Sequence, residues 1–147
     1  MKKSIYPISG VIITLLFLFF ATPLYEAFFY DSEFSNAMYD NHVYLFVSLI
    51  AAAVSWGVAA VFYYVVDSVS FSRWYHWLIM LGVATVVSTV GGYICADRIF
   101  TSLDYSFFGP LLSFSLVNAL VEVALFVVAS FSMRWWSVNC RHTPLPE

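Results

Sequence analysis

Residues 110–133 read PLLSFSLVNALVEVALFVVASFSM, an uncharged run except for one carboxylate, Glu122, and Arg134 follows directly. A helix needs about 20 apolar residues to cross a hydrocarbon core of about 30 Å, so this stretch is read as a transmembrane span. Three more stretches meet the same condition: Pro7–Phe29, Asn41–Val66 and Trp74–Ala96. Pro7 and Pro110 stand at first helical turns, where a missing N–H has no helical partner to lose. The sequence thus predicts an all-α integral membrane protein, a four-transmembrane-helix bundle with short loops. Residues 1–147 would form a single membrane domain, with 134–147 as a short cytoplasmic tail.

The composition points the same way. Of 147 residues, 62% are apolar and 10% charged, against about 45–50% and about 25% in soluble domains. Mean hydropathy is +0.84, which excludes a disordered chain. A net charge of −3 offers no basic face to nucleic acid. Two cysteines, Cys95 and Cys140, make neither a disulfide scaffold nor a four-ligand zinc site. The tail pair Cys140 and His142 supplies only two ligands, so neither metal nor cofactor is expected.

Orientation follows from the cations. Lys2, Lys3, Arg73, Arg134 and Arg141 share one side of a four-span arrangement, and Arg98 lies on the other. The positive-inside rule then predicts an N-in/C-in protein, and the terse loops suit a bacterial inner membrane. The first apolar run is longer than a signal-peptide core and reads as a retained signal anchor. Trp74, Trp77, Trp135 and Trp136 read as anchors at the cytoplasmic boundary, with Tyr25, Tyr30, Tyr44 and Tyr105 as the outer belt. The connections Asp31–Asp40 and Asp97–Phe107 read as loops whose aromatic residues lie flat in the outer interface.

In lipid, small residues let helix backbones approach and so mark the contact faces. The second span carries Ser48, Ala52, Ser55 and Ala59 on one stripe. The third carries Gly82, Thr85, Thr89 and Gly92, beside the series Ser88, Gly92 and Ala96. Gly91 and Gly92 read as a close helix approach or as an unwound turn with exposed carbonyls. Spans two to four are expected at the centre and span one at the periphery, its outer end kinked at Thr22-Pro23.

Glu122 is the residue that topology does not explain. A charge at this depth costs about 2.5–3.5 kcal/mol on insertion scales, and no Lys or Arg lies inside a span to pair with it. Desolvation therefore disfavours the charged form, and the carboxyl is expected to hold a proton at least part of the time. Ser115, Asn118 and Glu122 form a polar stripe, with Thr85, Ser88 and Thr89 as partners across a helix interface. This is a candidate intramembrane site for binding or for protons or ions. No nucleophile triad, carboxylate pair, phosphate loop or metal cluster converges at one depth, so an enzyme is the least supported class.

Two readings of function remain. One is a non-enzymatic accessory, assembly or immunity-like subunit working through helix-face contacts, with the bilayer and a second copy or another membrane protein as partners. The other is a homo-oligomeric channel or transporter for protons, ions or a small solute, with Glu122 and Asn118 at the pathway.

Overall fold

Every element of this computed structural model is a helix, and the structure describes residues 2–66, 74–104 and 108–134, apart from the side chains at 2–4 and 74. Three helices are individually long and apolar enough to cross a membrane, and a bent pair supplies a fourth span if it counts as one. The bent pair comprises α1 (Lys2–Phe19) and α2 (Ala21–Phe28), which meet at 70°. Pro23 explains the position of the break. Its ring clashes with the carbonyl four residues back, that of Phe19, and it offers no N–H to that carbonyl. The span expected at 7–29 with a kink at Thr22-Pro23 is thus two limbs, and the break falls at Phe20.

The stretch expected to be an outer loop holds α3 (Ser32–Asp40). Its start is encoded locally: Asp31 is the N-cap and accepts from the Phe34 N–H at 3.1 Å, while Ser35 Oγ accepts from the Asp31 N–H at 3.1 Å. Phe34, Ala37 and Met38 recur at helical spacing and are buried, whereas Tyr39 faces out. The helix thus roofs one end of the core instead of forming an irregular loop. His42, in the left-handed region at φ 57°, turns the chain into α4 (Val43–Ala60).

The last turns of the second span, Val61–Val66, are π-helical. A wider turn lets the consecutive side chains Phe62 and Tyr63 both enter the core. The third span, α5 (Trp74–Ser102), runs past the expected end at Ala96. Asp97 and Arg98 sit on its exposed side. Charge marks where a helix leaves lipid, not where it ends. Phe100, expected at the interface, is buried one turn beyond Ala96. The final helix is α6 (Phe108–Met133).

Helices α4, α5 and α6 pack against one another, and α1 leans on α6 and α4. The buried stripe of α5 is Ala84, Ser88, Gly92 and Ala96, and that of α4 includes Ser48, Ala51, Ala52, Ser55 and Ala59. Small side chains on both stripes bring the backbones close, which is how helices gain contact where lipid removes any hydrophobic advantage. On α1, Leu15, Leu16 and Phe19 are exposed, as is Phe20 at the break, while Phe17 packs partly against the core.

The core separates into two apolar clusters. One, beneath α3, gathers Tyr25, Phe34, Met38, Tyr44, Phe100 and Phe114 among others. The other, toward the π-helical end of the second span, holds Ala59, Phe62, Tyr63, Trp77, Phe126 and Ala129 among others. Two tyrosines assigned to the outer belt, Tyr25 and Tyr44, are instead core residues, because their rings stack on each other and on Phe114. Tyr30 does remain exposed, and Tyr105 lies outside the described residues.

Candidate functional site

Between the two clusters lies a polar layer centred on Glu122. The helical period of α6 turns Leu111, Ser115, Asn118, Glu122 and Leu125 inward, and Glu122 is 0% exposed. Its Oε1 lies 2.7 Å from the hydroxyl of Ser55 on α4. Ser88 of α5, fully buried, faces the same carboxyl. Glu122 Oε2 and Ser88 Oγ have no hydrogen bond within the described residues. One turn outward, the Tyr25 hydroxyl donates to Asn118 Oδ1 at 2.9 Å. Four elements, α2, α4, α5 and α6, therefore contribute to one small polar centre.

The expected partners divide. Asn118 and Glu122 share the inward face, but Asn118 spends its carbonyl oxygen on Tyr25 and not on Glu122. Ser115 turns its hydroxyl back to the Leu111 carbonyl at 2.8 Å, and Thr85 does the same to Leu81 at 2.8 Å. Thr85 is thereby satisfied within its own helix and does not reach the carboxyl. Thr89 is only partly buried, although its hydroxyl oxygen is enclosed without a hydrogen bond. Ser55, assigned to plain packing alongside Ser48 and Ala52, is the residue that touches Glu122. A small hydroxyl inside a packing stripe was the available signal for it. Tyr25 had none, because its inward turn depends on the break at Phe20.

The glycines divide too. At Gly92 an added Cβ would sit 3.1 Å from Asn118 Nδ2 and 3.3 Å from Val47 Cγ1, so this position permits the close approach of three helices. At Gly91 it would meet only Ile50, at an ordinary 3.6 Å, and at Gly82 nothing within 4 Å. The α5 helix continues through Gly91 and Gly92, so the unwound turn does not form there. Gly10, not singled out in the sequence, makes the tightest contact: an added Cβ would land on Ser132 Oγ.

The indole of Trp77, expected as an interface anchor, packs into the bundle. It is buried against Phe126 and donates to Ser130 Oγ at 2.9 Å. A buried indole N–H needs such an acceptor, and α6 supplies it. The anchors Trp135 and Trp136, the Trp74 side chain, and the Cys140 and His142 pair lie outside the described residues. Trp56 joins α4 to α1 by donating to Thr14 Oγ1 at 3.0 Å. Among the described residues no three His, Cys, Asp or Glu side chains are placed to share a metal ion.

Two clefts in the spans are apolar. One, about 350 Å³, lies between the two limbs of the first span and α6, lined by Ile13, Phe17, Leu24, Phe28, Val121 and Leu125 among others. A second, about 300 Å³, lies at the end of the bundle where His76 joins Phe62, Val66, Ile79 and Met80. Compared with protein-family models, curated proteins and solved structures, the chain matches none of them.

Proposed function

We propose that the chain is a non-enzymatic accessory, assembly or immunity-like membrane subunit, acting through helix-face contacts with another membrane protein or a second copy of itself. The observation that carries this reading is the enclosure of the polar centre. Glu122, Asn118, Ser55 and Ser88 are satisfied or sealed inside one bundle, so the chain presents apolar helix faces to its surroundings in the spans. On α6, Leu116 and Leu120 are 71% and 70% exposed, and on α5 Val83, Val86, Val87 and Val90 face outward. The same proposal places it in a bacterial inner membrane as an N-in/C-in four-span domain, on the strength of the cation distribution. Affinity purification in mild detergent is expected to recover a specific membrane partner or a defined oligomer. Repeated recovery of the chain alone contradicts the proposal.

One observation favours the second reading, a pathway for protons, ions or a small solute: a buried carboxyl oxygen with no hydrogen bond. Intramembrane ionisable groups of this kind serve proton relays and ion pathways. Because Glu122 faces its own helices, such a pathway would run through one bundle and not between copies. It predicts flux into liposomes that falls in Glu122→Gln. Equal background flux for both proteins removes this reading.

A further inference from the structure

The first span breaks at the depth of Glu122. Gly10 of α1 closes on Ser132 of α6, and Tyr25 of α2 closes on Asn118 of α6. Phe20 lies between Gly10 and Tyr25 in the chain, so the break falls alongside the α6 turn that carries Glu122. The apolar groove between the two limbs and α6 reaches Val121 and Leu125, on either side of the glutamate in sequence. That space leaves α2 room to move, and the bond from Tyr25 to Asn118 is its polar tie to α6.

The hydrogen bonds around the carboxyl also count protons. Ser55 Oγ lies 2.9 Å from the Ala51 carbonyl oxygen and 2.7 Å from Glu122 Oε1. A serine hydroxyl has one proton to donate. On these helices Thr14, Thr85, Ser115 and Ser132 each give theirs to the carbonyl four residues back. If Ser55 does the same, the 2.7 Å contact takes its proton from Glu122. The other oxygen, Oε2, is then a neutral carbonyl facing the Ser88 hydroxyl. Tyr25, from α2, is the titratable group facing Glu122 among the described residues, while α4 and α5 present serines.

We infer that Glu122 is an occluded proton-binding site: it holds its proton in the closed bundle and exchanges it with water only when α2 swings at Phe20 and Tyr25 leaves Asn118. The aromatic cluster beneath α3 and the cluster around Trp77 and Phe126 close the site from both ends. This inference stands apart from the helix-face role, since it concerns only the interior of one chain.

Infrared spectroscopy of the full chain in vesicles tests it. The difference spectrum of wild type against Glu122→Gln is expected to show a protonated carboxyl C=O stretch at neutral pH that shifts slowly on transfer to D₂O. Tyr25→Phe should speed the shift about threefold to tenfold, as loss of one buried hydrogen bond does to a closed–open equilibrium. Asn118→Leu, which removes the acceptor from the other helix, repeats the test should the tyrosine variant not fold. Trp77→Phe removes a comparable bond at the other end and is expected to leave the rate within about twofold, because opening there is a separate local event. A carboxylate in place of the protonated band overturns the inference. So does a rate that neither variant of the tie changes, or one that Trp77→Phe raises equally.

Discussion

A carboxyl sealed in a membrane bundle depends on the few polar partners it has, and Ser55 meets Glu122 Oε1 at 2.7 Å. Removing that hydroxyl with Ser55→Ala is expected to cost about 1–3 kcal/mol, the penalty for an orphaned buried polar atom. Glu122→Gln can turn an amide N–H to Ser55 in place of the carboxyl O–H and is expected to cost less than about 1 kcal/mol. Equilibrium unfolding in mixed micelles measures both, and the opposite ranking would contradict the assignment of Ser55 as the partner. Glycines give a second residue-level test. Gly10→Ala forces a methyl onto Ser132 and should cost about 1–3 kcal/mol, as overpacking does. Ser132→Gly in the same chain should recover part of that loss. Gly82 has nothing within 4 Å of where a Cβ would sit, so Gly82→Ala is expected to be neutral or to gain up to about 1 kcal/mol of helix propensity. Glu122 was legible in the sequence as a carboxyl without a cation. Gly10 was not, because a single glycine in an apolar run has no periodic companion to mark its face.

At the scale of elements, α3 shows what hydropathy hides. Its sequence is polar enough to read as a loop, yet the Asp31 cap and the spacing of Phe34, Ala37 and Met38 encode an amphipathic helix. Its inward face is 0% exposed at Phe34 and Met38, while Tyr39 is 64% exposed. Phe34→Ala should therefore cost about 3–5 kcal/mol, as loss of a buried ring does, and Tyr39→Ala should stay within about 0.5 kcal/mol. Equal losses at the two positions would contradict the roof. The extension of α5 to Ser102 was hidden for a related reason. A charged pair at 97 and 98 tells where solvent begins, and only the continued spacing of Ala96 and Phe100 tells that the helix goes on. The break in the first span was half legible. Pro23 announced a kink, but its place at Phe20 follows from the carbonyl that proline displaces, and its consequence, a buried Tyr25, follows only from the packing.

The described residues form two apolar clusters with a polar layer between them, held by small-residue stripes. The helical class and the spans 41–66 and 110–133 could be read from hydropathy nearly to the residue. The inward face of the small-residue stripes could be read from spacing. Which hydroxyl meets Glu122 could not, since that depends on the relative rotation of three helices. With its polar groups turned inward, the chain has apolar faces left for meeting other molecules in the bilayer, and the account of function rests on that. A photoactivatable cross-linker placed in turn at Leu116, Leu120, Val86 and Ser88, in native membranes, tests it most directly. A protein adduct of one defined mass is expected from at least one exposed position and none from the buried Ser88. Lipid adducts alone from every exposed position would contradict it.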